Sequence, residues 1–185
     1  MNLRERDNTL EELLDAPVAD QRLLAHNLRV IRRINVMPGW TSLAPKQVAL
    51  TVARQLLHTF SLLDVATGAA DIPKAMAHRA ERQHLQGTIV ATDISEQVLE
   101  AARANCASLP NIRLERQNVL ALTSGDQAFD LVLCSLALLH FSPDDAPTLL
   151  RELARVVGCA IIAIDLILLL LVGDHASGLA TLPGP

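Results

Sequence analysis

Aromatic residues are nearly missing from this chain: its 185 residues include three Phe, one Trp and no Tyr. A surface that stacks bases on aromatic rings, the usual platform for single-stranded nucleic acid, cannot be assembled from so few. An excess of basic charge is missing too. The net charge is −4, the wrong sign for gripping a phosphate backbone, so nucleic acid is not expected as a partner. Cysteine is scarce: Cys106, Cys134 and Cys159 lie far apart, with no Cys-x-x-Cys pair and no Cys/His cluster at metal-ligand spacing. No metal is expected, and a reducing cytoplasmic location fits best. The longest apolar run, Cys159 to Val172, has 14 residues and is broken by Asp165, short of the roughly 20 that cross a bilayer. Met1 to Leu14 is acidic and polar where a secretory signal would be basic and then apolar.

What is present is aliphatic. Half of the residues are hydrophobic and 19% are charged, enough to build one substantial core at this length. Leu23, Leu24, Leu28, Ile31 and Ile34 recur at three- and four-residue steps, which predicts a helix over 10–35 with a break at Pro17 and an end at Pro38-Gly39. Its segment Asn27 to Asn35 carries Arg29, Arg32 and Arg33 on one side; such a face is ordinarily solvated. A second helix is expected from Pro45 to His58, with Val48, Val52 and Leu56 as its stripe.

Beyond that the rhythm changes. Ser61–Ala66, Thr88–Thr92, Ile112–Gln117, Phe129–Leu133 and Ala160–Asp165 are strand-like, and 71–84, 95–107 and 144–157 between them are helical. Continuous apolar strands alternating with helices predict an α/β fold: a mainly parallel sheet covered on both faces. Right-handed crossovers then put every strand C-terminus on one edge, where ligands of such sheets bind.

Two strand ends on that edge carry chemistry. Leu62-Leu63-Asp64-Val65-Ala66-Thr67-Gly68-Ala69-Ala70-Asp71 is a strand that ends in small residues and runs into a helix. Small side chains let a ligand approach the backbone, and Gly68 can take torsions denied to other residues, although a tight turn alone would look similar. Asp93 stands 29 positions after Asp64 and ends the next strand, Ile89-Val90-Ala91-Thr92-Asp93. A carboxylate there can accept hydrogen bonds from the ribose hydroxyls of an adenosine-like ligand; Asp93 or Ser95 can equally well cap the helix beginning at Glu96.

With these elements the sequence resembles the class I S-adenosylmethionine (SAM) dependent methyltransferases, from about Ser61 to Leu166. Asp64, Gly68 and Asp71 match the family's first motif, while Ala66 and Ala70 stand where it has glycine. Ala128-Phe129-Asp130-Leu131-Val132-Leu133-Cys134-Ser135-Leu136-Ala137-Leu138-Leu139-His140-Phe141 looks like the fourth strand and following loop of the subgroup with quinone-biosynthesis C-methyltransferases, which often have two histidines where this chain has Leu139 and His140. The resemblance implies a Rossmann-like three-layer sandwich with an N-terminal helical lid. It implies SAM as cofactor, with Gly68 under the methionine portion, Asp64 and Asp71 near its amino end, Asp93 on the ribose and Asn118 on the adenine. Ala66, Ile94, Val119 and Cys134 complete the expected cofactor contacts.

The remaining candidates are open to two readings each. Asn118 suits a turn for its own backbone reasons. His140 can act as a general base on the acceptor, or only pack or cap; methyl transfer from a sulfonium needs in-line positioning more than proton chemistry. Cys134, a thiol at a buried strand end without a paired base, is not expected to be a nucleophile. Asp165 can face the substrate or simply end its strand. The family fold continues with a helix and an antiparallel hairpin for which Leu166 to Pro185 leaves little chain, so self-association through that apolar tail is expected. The divisions expected are 1–58 as lid, 59–166 as SAM-binding domain and 167–185 as tail. The function expected is methyl transfer to a small-molecule acceptor, with a catalytically inactive SAM-binding module as the alternative. Gly-x-Gly-x-x-Gly, the dinucleotide fingerprint, is absent.

Overall fold

The computed structural model describes residues 40–165. The helix expected over 10–35, its Arg-bearing face, the break after it, and the apolar tail with its self-association all lie outside the described residues.

Helix α1 (Trp40–Arg54) leads into strand β1 (Thr59–Val65), after which helices and strands alternate: α2 (Asp71–Arg82), β2 (Gln86–Asp93), α3 (Glu96–Cys106), β3 (Ile112–Arg116), β4 (Phe129–Ser135), α4 (Ala146–Val156) and β5 (Val157–Ile164). The five strands form one sheet in the order β3-β2-β1-β4-β5, and every pair is parallel. This is the expected α/β architecture. The chain steps outward from β1 to β3, then returns to place β4 on the other side of β1. Adjacent crossovers therefore diverge between β1 and β4, which makes the strand C-termini there the switch point of the sheet, where ligands of such folds bind.

Both sheet faces are covered, which is why adjacent strand residues are buried alike. Leu62, Ile89, Leu131 and Leu133 pack with Val48 and Val52 of α1 and Met76 and Ala77 of α2. Leu63, Val65 and Val132, from the same strands, pack with Leu149, Leu153 and Val156 of α4. Both α1 and α2 end in a left-handed residue, Leu56 and His84. In each, the next amide reaches back five residues, from Leu57 to the Val52 carbonyl and from Leu85 to the Ala80 carbonyl. These are Schellman closures, here built without glycine.

Three boundaries differ from expectation by three residues or more. The helix predicted from Pro45 to His58 begins at Trp40, with Pro45 inside it, and ends at Arg54, so that Leu56, expected in its stripe, lies beyond it, exposed and left-handed; proline removes one hydrogen bond, near enough to the N-terminus for the helix to continue. Strand β5 begins at Val157, directly out of α4, because Val157 takes an extended conformation and needs no connecting loop.

Candidate active site at the C-terminal edge of the sheet

Parallel register brings the candidate residues to one level. Asp64 pairs with Ala91 of β2 and Leu133 of β4, and Val65 pairs with Thr92 and Cys134. The ends of β1, β2 and β4 thus meet at the switch point of the sheet, although Asp64, Asp93 and Cys134 are far apart in sequence.

Asp64 is 1% exposed. Its Oδ2 accepts a hydrogen bond from Thr67 Oγ1 at 2.6 Å, and its Oδ1 is buried with no partner among the described residues. Burial, more than the neighbouring Asp93 charge, raises its pKa from the ordinary 3.8 to about 7 against the lowering effect of the Thr67 hydrogen bond. A buried carboxyl with an unanswered oxygen is costly unless something else completes it. Thr67 is a participant that the sequence did not single out, since a threonine in a turn carries no signal of its own.

The loop after Asp64 is built on left-handed torsions. Ala66, Gly68 and Ala70 have φ of 52, 58 and 59°, so every second residue needs a conformation that glycine adopts freely and alanine at roughly 1 kcal/mol or more. The alanines at the family's outer glycine positions therefore preserve the backbone path at a cost in strain. Among the described residues, a Cβ added at Gly68 would meet nothing within 4 Å, so they leave the space above this residue open.

Asp93 joins this loop to the next. Its Oδ2 accepts from the Gly68 amide at 3.0 Å and its Oδ1 from the Ser95 amide at 3.0 Å. Ser95 is the helix cap, with Oγ accepting from Val98 N at 3.4 Å. The structure thus separates the two roles that the sequence left open: Ser95 caps α3, and Asp93 bridges the two loops. Each carboxylate oxygen can accept more than one hydrogen bond, so Asp93 can still receive a ligand hydroxyl. Ile94 beside it is 59% exposed.

The other candidates occupy different settings. Asp71 starts α2 and accepts from Asn105 Nδ2 at 3.0 Å. Asn118 is exposed and its Oδ1 accepts from the Leu120 amide at 3.0 Å, the turn role considered for it, while Val119 is buried. Cys134 is buried, and its thiol is pushed up to about 12 by burial first and by the Asp64 and Asp165 charges next. It stays protonated, which removes it as a nucleophile. Asp165 is 2% exposed and accepts from the Leu138 amide at 3.0 Å, so it anchors the loop after β4. That loop forms a short 3-10 turn, Leu138–His140, with His140 exposed and its Nε2 3.1 Å from the Leu136 carbonyl.

Comparison with known proteins now decides the family. A family model described as a methyltransferase domain matches residues 62–158, just over half of the chain. The chain belongs to this methyltransferase family. The demethylmenaquinone methyltransferase of Staphylococcus epidermidis is 33% identical over 95 residues, which are 51% of this chain and 37% of the relative; the match spans little more than a third of that curated protein's length. Among solved structures, a candidate SAM-dependent methyltransferase from Methanococcus maripaludis superposes with a TM-score of 0.61 at 19% identity, covering 83% of this chain and 67% of the other. A SAM-dependent methyltransferase from Aquifex aeolicus gives 0.56 at 19% identity, covering 75% and 72%. At these identities the structures speak for the fold, which is the Rossmann-like methyltransferase sandwich.

Proposed function

We propose that this methyltransferase domain binds SAM at the C-terminal edge of its sheet and transfers the methyl group to a small-molecule acceptor. The observation that carries this reading is the pairing, among the described residues, of Asp64, buried with one oxygen unanswered, with open space above Gly68 in the adjoining left-handed loop. A cation held over a close-approaching backbone would complete that carboxylate and fill that space. SAM, when bound, supplies an electrophilic methyl group on a positively charged sulfur.

The chain's own residues have defined tasks in this proposal. Asp64, with Thr67 orienting it, and Asp71 hold the amino end; Ala66 and Gly68 let the methionine portion lie on the backbone. Asp93 accepts from the ribose and exposed Ile94 covers one side of the nucleoside. Asn118 and Val119 border the adenine, and Cys134 forms part of the apolar floor. His140 is the general base for an acceptor that must lose a proton; in the tautomer with Nε2 donating to the Leu136 carbonyl, Nδ1 is the acceptor. Asp165 acts behind it by fixing the loop. In-line placement of the acceptor is the main catalytic demand.

The acceptor is read as a small molecule because the charge is unsuited to nucleic acid, and the name of the Staphylococcus relative favours a quinone-like ring. No helix among the described residues is long and apolar enough to cross a membrane; three unpaired cysteines support a cytoplasmic location. Titration calorimetry with S-adenosylhomocysteine (SAH), joined to mass spectrometry of co-purified ligands, tests the proposal. Micromolar binding that Gly68→Val abolishes in a folded protein is the expected result. Absence of binding by the parent chain would remove it.

A further inference from the structure

The strained loop is held from two sides, and the second side involves a residue outside every motif. From β2, the Thr92 carbonyl accepts from the Thr67 amide at 2.9 Å, and Asp93 Oδ2 accepts from the Gly68 amide. From the last turn of α3, Asn105 Nδ2 donates to the Ala69 carbonyl at 2.9 Å and to Asp71 Oδ1 at 3.0 Å. Lys74 Nζ donates to Asn105 Oδ1 at 2.9 Å and to the Asn105 carbonyl at 3.0 Å.

This arrangement admits one orientation of the amide. Lysine has donors only, so the Asn105 oxygen must face Lys74, which leaves the NH2 group for the Ala69 carbonyl and the Asp71 carboxylate. Both amide hydrogens and the oxygen are then used. Left-handed alanines persist only where their surroundings over-determine the backbone; Ala70 lies between the two residues that Asn105 holds, and Ala66 stands three residues before the first.

We propose that Asn105 is a positioning residue for cofactor binding: it clamps Ala69 and Asp71 from α3 and so keeps the Ala66–Ala70 loop in its ligand-accepting path. This rests on the SAM reading of the loop. In a chain with glycine at the outer positions the path would need less support; in this chain, with alanine there, the clamp supplies it. Release of the clamp lets the alanines relax toward right-handed torsions, withdrawing the Gly68 amide from Asp93 and closing the space above Gly68.

The test compares the parent chain with Asn105→Ala, Asn105→Asp and the double variant Asn105→Ala with Ala66→Gly. Asn105→Asp retains size but has no donor and sets a carboxylate against Asp71, so it serves if Asn105→Ala folds poorly. SAH affinity is read by calorimetry, and hydrogen exchange of the Gly68 and Ala70 amides is read without ligand. Both single variants are expected to weaken SAH about tenfold and speed exchange at those two amides about tenfold, with the β1 and β4 amides unchanged. Ala66→Gly should recover at least threefold of the lost affinity, since glycine enters the left-handed region freely, a rescue that a merely structural role for Asn105 does not produce. Unchanged affinity and exchange in both single variants, equal acceleration across β1 and β4, or absence of rescue would overturn the proposal. A parent that fails to bind SAH defeats the SAM reading instead, and loop exchange then still judges the clamp.

Discussion

At the N-terminal edge of the sheet, polar groups answer one another: Asp130 Oδ2 accepts from both the amide and the hydroxyl of Ser61, at 2.7 and 2.8 Å, and Ser61 Oγ accepts from the Asp130 amide at 2.9 Å. At the C-terminal edge, Asp64 keeps an oxygen without a partner among the described residues and three of five consecutive residues are left-handed. The N-terminal edge also has such torsions, at Leu56, His84 and Gln127, but singly, and the first two close helices. Size points the other way, since a cleft of about 880 Å³ lies at the N-terminal edge between Ser61, Glu81, Gln86 and Asp130. Volume alone marks no site here. In the proposed reading, the chemistry lies where cost is concentrated and nothing within the described residues offsets it.

The strongest way to break this comparison is Asp64→Asn. With the carboxyl raised to about 7 from 3.8, the folded state holds a proton that the unfolded state gives up between those values. The stability from this group is fully present below pH 3.8 and lost as pH rises through 7, with an upper bound of about 4 kcal/mol. Asp64→Asn is therefore expected to melt higher than the parent at pH 8, with the gap closing toward pH 4, and to lose SAH binding. The parent should bind a cationic ligand more tightly at pH 8 than at pH 6, because binding favours the ionised form. Calorimetry across that range and melting curves check both; a parent and variant with parallel pH profiles would place Asp64 outside the site.

Asp93→Ala should weaken SAH by about 1–3 kcal/mol, the usual consequence of removing a charged acceptor. It also frees the Gly68 and Ser95 amides, so calorimetry should be paired with a melting curve to separate ligand loss from loop loss. Asp130→Ala is the control at the other edge. It should cost about 1–2 kcal/mol of stability by leaving the half-buried Ser61 amide without its acceptor, and SAH affinity should not change. A large loss of affinity in this variant would move the site toward the N-terminal cleft. The smallest effect is expected from Ala66→Gly alone, about 0.5–1 kcal/mol of added stability in chemical denaturation from relief of the left-handed strain, less the greater freedom of glycine when unfolded. Destabilisation would mean that the loop is not strained at that position.

The elements of the core were legible in the sequence because their signals are local. Leu62 and Leu63 are both fully buried, and a short apolar run that stops at small turn residues reads as a strand covered on both faces. Asp64, Gly68 and Asp93 stood out as candidates for a related reason: each lies at or just after a strand end, and parallel topology sends every strand end to the same edge. The start of α1 was not legible, because Pro45 marks a helix start in sequence terms, while the observed helix continues through it.

What the sequence by itself determined is the alternation of strands and helices, the edge to which the strand C-termini point, and the residue types standing there. Only the tertiary structure decided that Ser95 rather than Asp93 caps α3, that Asp165 anchors the loop carrying His140, and that Asn105 holds the Ala69 carbonyl from a helix 36 residues away. The physical reason is one of range. Hydrophobic period and turn chemistry act over a few residues and leave a trace in the order of amino acids, whereas a hydrogen bond closed by the packing of α3 against α2 depends on geometry that exists only after the sheet has formed.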